Sequence, residues 1–376
     1  MYHLIDFITK KEVHPHNLIF TGENSPWEVV LDLHTIKKNL NLKEYKSLPA
    51  NLSKYLPLLP IPHSAQLLHW QESPTPLIKS RYIGKQLGIE LYFKLEGKNP
   101  TGSFKDRGSV IEMTIAKHHN AKKIVVASTG NMAASCACYA ALASIPCVVF
   151  VPNGTSLVKL AQVTAFGGKI VEINGSYADA ALAARHYAES HHCYLAGDYA
   201  FRIEGQKTAL FEILDQLAFD MPDQIIIPMG CGTNIAAYHK GLNDYHALGL
   251  IKKMPHLIGV QSTGANPIVR AFSRHQTSVS PKKQIQTIAS AIAVGDPIDG
   301  LKALAALYET HGQAIAVSDR AILKARRLLA ETEGLFVESA SAATIAGLFK
   351  LQKKRTLDKK VICILTGEGL KDPNLL

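Results

Sequence analysis

The chain has little of what most specialised proteins carry. Its 376 residues include six cysteines, at 136, 138, 147, 193, 231 and 363, and no CxxC pair among them, so neither a disulfide framework nor a four-cysteine zinc site is encoded. Three of the six lie in apolar stretches, the pattern of buried thiols in a reducing compartment. Of sixteen histidines, the pairs His118-His119 and His191-His192 show no HExxH or His/Cys spacing, and no metal site is expected. No apolar run is long enough to span a bilayer, and the opening MYHLIDFITKKEVHP lacks a signal-peptide core, so a cytoplasmic protein without a membrane partner is expected. A GxSxG elbow, a phosphate-loop lysine and a GxGxxG with a downstream ribose carboxylate are also missing, which argues against the corresponding hydrolases and nucleotide enzymes. Basic residues exceed acidic ones by ten, yet the lysine doublets are scattered and join into no stripe. Nucleic-acid binding is therefore not expected, and a general pull on anionic substrates is the more economical reading.

What is present is a soluble, core-forming composition, 47% hydrophobic and 19% charged, without repeats or low-complexity tracts. The first 60 residues, rich in Lys, Asn, His and Pro and closing on KYLPLLPIPHS, read as an extension packing on the body of the enzyme, with a short helix from Leu31 to Leu40. From Ile89 onward, β-branched runs alternate with helix-period segments. The runs are 89–96, 123–128, 147–152, 169–173, 224–230, 257–262 and 361–367; helices are expected over Ala133–Leu142, Ser156–Phe166, Tyr177–Ser190 and Asp319–Ala330. Strands apolar on both faces belong to parallel sheets covered by helices. The expectation is a two-domain α/β enzyme with parallel-rich sheets flanked by helices. Residues 61–115 and 210–376 would form the larger domain, carrying the extension, and 116–209 the smaller.

Ligands bind at the carboxyl ends of such strands, and four segments there carry chemistry. In Pro100-Thr101-Gly102-Ser103-Phe104-Lys105-Asp106-Arg107-Gly108 a lysine lies between a Gly/Ser turn and a helix. An amine partly desolvated at such a junction can form an imine with an aldehyde, and the natural aldehyde is pyridoxal phosphate; a solvated loop lysine is the plainer reading. Ser128-Thr129-Gly130-Asn131 offers two hydroxyls, an amide and helix N–H groups to a carboxylate, or merely caps its helix. Gly230-Cys231-Gly232-Thr233-Asn234 is a strand-to-helix turn able to cradle a phosphate. Thr366 ends a buried strand with a hydroxyl that could donate to a pyridine nitrogen or satisfy its own turn.

Taken together, seven segments in order resemble the threonine synthases and, more broadly, the tryptophan-synthase-β-like, fold type II pyridoxal-phosphate enzymes. They are EGKNPTGSFKDRG (96–108), VASTGNMAASCACYAA (126–141), KLAQ (159–162), RIEGQKTALFEI (202–213), SAIAVGDP (290–297), FVESASAATIAGL (336–348) and LTGEGLKDP (365–373), so that the likeness runs from Ser73 to Pro373. The resemblance implies that Lys105 binds pyridoxal 5'-phosphate covalently and later shuttles protons. It implies Asn131 on the ring oxygen, Gly230, Cys231, Gly232, Thr233 and Asn234 on the phosphate, and Thr366 on the pyridine nitrogen. Ser128 and Thr129 would take the substrate carboxylate and Arg202 an anionic group farther out. The implied reaction is O-phospho-L-homoserine and water to L-threonine and phosphate, in a homodimer. Three departures bear on the substrate: Met132 stands where the family usually has Thr, Cys231 and Thr233 replace Asn and Gly in the cradle, and Ala196-Gly197 stands where Asn-Ser contacts the substrate phosphate. Two further readings stay open: a same-scaffold enzyme acting on another amino acid, such as a serine/threonine ammonia lyase or a cysteate synthase-like β-replacement enzyme, and a non-catalytic paralogue that binds the cofactor.

Overall fold

The structure is a computed structural model that describes residues 2–15, 18–22, 25–69 and 74–372. Ser73 and Pro373, which bound the stretch of resemblance, lie outside the described residues, as do the side chains of 157–159 and with them the lysine of KLAQ. In chain order the strands begin with β1 (Tyr2–Asp6), β2 (Glu12–Val13), β3 (Trp27–Leu31), β4 (Leu77–Lys79), β5 (Glu90–Leu95) and β6 (Ile124–Ala127). There follow β7 (Cys147–Pro152), β8 (Lys169–Ile173), β9 (Tyr194–Ala196), β10 (Gln224–Pro228), β11 (His256–Ser262), β12 (Gln313–Val317) and β13 (Lys360–Leu365).

Two compact units result. The first takes 1–40, 51–73 and 103–208; the second takes 41–50, 74–102 and 209–376. In the first unit a four-stranded parallel sheet runs β8-β7-β6-β9, beside a small antiparallel sheet β2-β1-β3. The second unit holds a six-stranded sheet, β12-β11-β10-β13-β5-β4, parallel except for the β4 edge. Its centre is apolar on both faces: Ile225, Ile226 and Ile227 of β10 and Val361, Ile362 and Cys363 of β13 have no exposed surface. Burial of each such aliphatic side chain contributes about 1.5–3 kcal/mol. No helix among the described residues is long and apolar enough to cross a membrane.

The division differs from the sequence expectation at two places, for identifiable reasons. The helix Lys105–His118 belongs with 116–208 rather than with the carboxy-terminal half, because two glycines press it against the helix Ala200–Gln206. A Cβ on Gly205 would come within 2.0 Å of the Arg107 carbonyl oxygen, and one on Gly108 within 2.4 Å of Arg202 Cγ. The leader also joins the first unit over residues 1–40. Tyr2 packs edge-on to Phe201 at 5.6 Å, and Phe20 meets Phe201 at 4.8 Å and Tyr194 at 5.5 Å. Only 41–50 joins the second unit, where the Tyr45 and Tyr245 hydroxyls meet at 3.1 Å.

Element ends follow local chemistry. Ser176 and Asp179 form a reciprocal cap that opens the helix Tyr177–Ser190, the span expected. The helix from Asp319 stops at Leu328, short of the expected Ala330, and widens into a π turn over Leu329–Glu333. That turn delivers the Glu333 carboxylate to the N–H groups of Arg81, Tyr82 and Ile83 and to the Ser80 hydroxyl.

Candidate active site

Lys105 is the first residue of its helix, where backbone N–H groups lack intrahelical partners. Its Nζ donates to Asp198 Oδ1 at 2.8 Å, and the two side chains are 16% and 8% exposed, well short of a solvated surface pair. The solvated-loop reading of the lysine therefore fails. Asp198 follows β9, and Ser128 follows its parallel neighbour β6, so both loops leave the same carboxyl edge of the sheet.

Arg202 has a task that sequence reasoning did not foresee. Expected to receive an anion from the substrate, it is fully buried, with its donors committed inside the first unit. Nε donates to the Gly197 carbonyl at 2.9 Å, Nη1 to the Lys105 carbonyl at 3.0 Å, and Nη2 to Ser109 Oγ at 3.3 Å and to the Glu112 carboxylate. Glu112, seven residues beyond Lys105 and two turns along the same helix face, also accepts from the Gly197 N–H at 3.2 Å. Burial pushes the Glu112 carboxyl up to about 7, outweighing the pull of Arg202 and the Gly197 N–H. For Arg202 burial works toward a lower value, but the Glu112 charge outweighs it and the guanidinium is held protonated. The cost of the buried pair thus falls on the carboxylate, and the arginine is charged throughout.

Around Ser128 the capping reading is realised. Its hydroxyl accepts from the N–H groups of Gly130 and Ala133, each at 3.3 Å, and so fixes the start of the helix Asn131–Ala143. Thr129 and Asn131 are half-buried beside it, and Met132 is buried, filling with a thioether the place where the family has a hydroxyl. Ala196 is buried, and Gly197 is covered by the Tyr199 ring, which a Cβ would approach to 2.5 Å.

The second unit carries the other half of the expected residues. Between β10 and the helix Thr233–Leu248, Gly232 has φ +92°, and a Cβ there would lie 2.7 Å from the Asp299 carbonyl oxygen, so only glycine fits. The left-handed residue is Gly232 and not Thr233, which begins the helix in ordinary conformation; its departure from the family glycine carries no backbone strain. Gly230 touches the segment 290–297, with Ala291 O and Ile292 Cα each 3.2 Å from where a Cβ would stand. The helix start has no side-chain cap. Thr233 Oγ1 and Asn234 Nδ2 are buried there without a hydrogen-bond partner. Buried polar groups are normally paired. An uncapped N-terminus with a hydroxyl and an amide left over, next to a glycine that admits close approach, fits the phosphate of pyridoxal phosphate. Cys231 is the one thiol of the six that is not buried.

Thr366 follows β13, the parallel neighbour of β10, so its hydroxyl leaves the same sheet edge as the cradle. It donates to Glu338 Oε1 at 3.1 Å and lies 3.1 Å from the Ser341 hydroxyl; Ser341 Oγ accepts from the Gly367 N–H at 2.9 Å. Gly367 makes room for this, since a Cβ would meet the Glu338 carboxyl carbon at 2.4 Å. Asp198, Glu112, Glu338 and Ser341 thus contact the candidate residues Lys105, Arg202 and Thr366, and sequence reading passed them over. The one available signal was an acidic residue at 112 and another at 338 within otherwise apolar or small-residue stretches. Among the described residues no group of three His, Cys, Asp or Glu could hold a metal ion.

Comparison with known proteins places this geometry. The family model described as "Pyridoxal-phosphate dependent enzyme" matches residues 70–367. A threonine synthase of Methanocaldococcus jannaschii is 41% identical over 92% of this chain and 87% of its own length. A threonine synthase of Methanosarcina acetivorans is 39% identical over 99% of this chain and 93% of its own. Among solved structures, processed threonine deaminase isoform 2 of Solanum lycopersicum superposes with TM-score 0.71 at 22% identity, over 85% of this chain and 92% of that one, a likeness of fold.

Proposed function

The chain belongs to the family of pyridoxal-phosphate dependent enzymes, and from that premise we propose that it is a threonine synthase, converting O-phospho-L-homoserine and water to L-threonine and phosphate. The observation that carries the choice of reaction is the near-full-length identity, 41% over 92% of the chain, with a protein of that name. Geometry supports the same reading. We assign Lys105 as the residue that binds pyridoxal 5'-phosphate. The turn Gly230, Cys231, Gly232, Thr233 and Asn234 would hold the phosphate, Thr366 the pyridine nitrogen and Asn131 the ring oxygen. When bound, the cofactor supplies the electron sink that makes the substrate Cα–H acidic.

The protein's own part is placement and proton movement. Lys105 Nζ takes the Cα proton and returns it later in the cycle. Thr129 and the N–H groups that open the helix Asn131–Ala143 receive the substrate carboxylate, with Ser128 holding that turn in shape through its two accepted hydrogen bonds. Arg202 is assigned to holding backbone, not to a substrate anion, since its donors are already engaged. The reading carries with it a cytoplasmic homodimer, which sedimentation of the holoenzyme would check.

Ala196-Gly197 favours one alternative, a same-scaffold lyase or β-replacement enzyme acting on an unphosphorylated amino acid, because neither residue brings a side-chain donor for a phosphate. Phosphate release from O-phosphohomoserine decides: its absence, with ammonia or keto acid released from serine or threonine instead, would replace threonine synthase by that alternative. Reduction of the holoenzyme with borohydride should leave a cofactor mass tag on Lys105. Lys105→Ala should lose the tag and about 10³-fold or more of kcat while keeping its fold.

A further inference from the structure

We propose that Asp198 is a second catalytic residue: the counter-ion that faces Lys105 Nζ once the lysine is released from the cofactor as a neutral amine, and that holds the ammonium formed when Nζ takes the Cα proton. The proposal rests on the assignment of Lys105 made above. Asp198 touches the reacting nitrogen itself, at 2.8 Å, in a pair whose members are both largely withdrawn from water. At such depth a charge pair is screened less than on a surface, and its geometry decides its worth.

The pair is built rather than incidental. One buried guanidinium holds the backbone at both of its ends: Arg202 Nη1 donates to the carbonyl of Lys105, and Nε donates to the carbonyl of Gly197, next to Asp198. Gly197 is held from its other side by Glu112, which takes its N–H, and Tyr199 N–H returns to the Gly197 carbonyl at 2.8 Å. Asp198 therefore cannot drift without disturbing the same arginine that fixes the lysine. It also lies in the segment whose Ala196-Gly197 departs from the family pattern. There the chain offers a carboxylate that the resemblance does not account for.

The proton count is simple. The Cα proton passes to neutral Nζ and makes an ammonium; the Asp198 carboxylate stays unprotonated and faces the new charge. When Nζ gives the proton back, the pair relaxes to an amine–carboxylate hydrogen bond. Asp198 thus favours the protonated amine at the moment it forms, and restrains four rotatable bonds of a lysine side chain.

The decisive readout is zero-length carbodiimide coupling, which joins a carboxylate to a touching amine with net loss of water. In the full chain freed of cofactor, tryptic mass spectrometry should find a Lys105–Asp198 isopeptide link. In the resting holoenzyme the link should be suppressed, and it should return when amino-acid substrate is added. Borohydride tagging of the same holoenzyme reports on Lys105 separately. No tag at 105 would sink the lysine assignment, whereas a tag without any 105–198 link in either the cofactor-free or the substrate-treated protein would overturn the role of Asp198. Kinetics gives a second arm: Asp198→Asn should keep the tag and KM within about twofold while kcat and solvent deuterium entry at Cα fall about tenfold or more. Asp198→Glu, which keeps the carboxylate, should recover most of that loss. Unchanged kcat in Asp198→Asn, or equal losses in the Asn and Glu variants with weakened cofactor retention, would make the pair merely structural.

Discussion

The surroundings of Lys105 and the Gly230–Asn234 turn handle polarity in opposite ways. Near Lys105 the interior is charged, and each charge is answered within the first unit: the lysine by Asp198, Arg202 by Glu112 and by two backbone carbonyls. At the turn the five residues are themselves uncharged, with one buried ion pair, Asp299 and Lys302 at 3.0 Å, alongside them, and Thr233 Oγ1 and Asn234 Nδ2 have no hydrogen-bond partner. The first arrangement fixes the position of the amine proposed to move protons; the second carries the donors proposed for the cofactor phosphate. A buried ion pair is costly to break, and a buried hydroxyl or amide without a partner carries a cost that a bound anion would remove.

The largest effect that would separate the two regions is expected from Arg202→Ala. It leaves Glu112 buried without its charge partner and takes one donor from each of two carbonyls, so unfolding free energy should fall by about 3–5 kcal/mol. Urea melts would show it; a variant of normal stability whose only defect is a raised KM for phosphorylated substrate would restore Arg202 to the anion-binding role first expected of it. Next comes Gly232→Ala, which forces a side chain into a left-handed position against the Asp299 carbonyl. Here stability should drop by about 1–3 kcal/mol, and cofactor titration should show retention weakened more than in any variant near Ser128. Equal cofactor affinity in Gly232→Ala would remove the turn from the phosphate.

The smallest effect concerns pH and should appear only on the charged side. Because burial raises Glu112 from 4.5 to about 7, the folded protein binds that proton more tightly than the unfolded chain between those values. Its contribution is then fully present below about 4.5 and is lost as pH rises through 7. Thermal midpoints of the wild type should decline across that window, and Glu112→Gln should flatten the slope; an equal slope in both proteins would mean the carboxyl titrates elsewhere.

Much of this was legible in the residues. The β-branched runs at 147–152 and 169–173 became strands over those spans, the first unbroken apolar sequence and the second β-branched between an exposed Lys169 and Glu172, each bounded by turns. The helix Tyr177–Ser190 was read with its bounds from the sequence. Lys105 at the head of a helix followed from the small residues before it. Other features could not be read. The Glu112–Arg202 pair joins residues ninety positions apart, and nothing local to either says that both are buried. The β1–β3 sheet pairs Tyr2 with Leu31 across a leader whose lysines, histidines and prolines mask short strands. The grouping of helix Lys105–His118 with 116–208 was hidden for the same reason: it rests on close contact at Gly108 and Gly205, and a glycine in a helix looks the same whether it faces solvent or another chain segment.

Those two glycines also say something about how such an enzyme could be reshaped. With no side chain on either glycine, the helix that begins with Lys105 and the helix that bears Arg202 pack against backbone at Gly205 and against the Arg202 stem at Gly108, and leave no slack for adjustment. Libraries aimed at a new amino-acid substrate should leave both positions untouched and vary Met132 and Ala196, two of the departures from the family pattern.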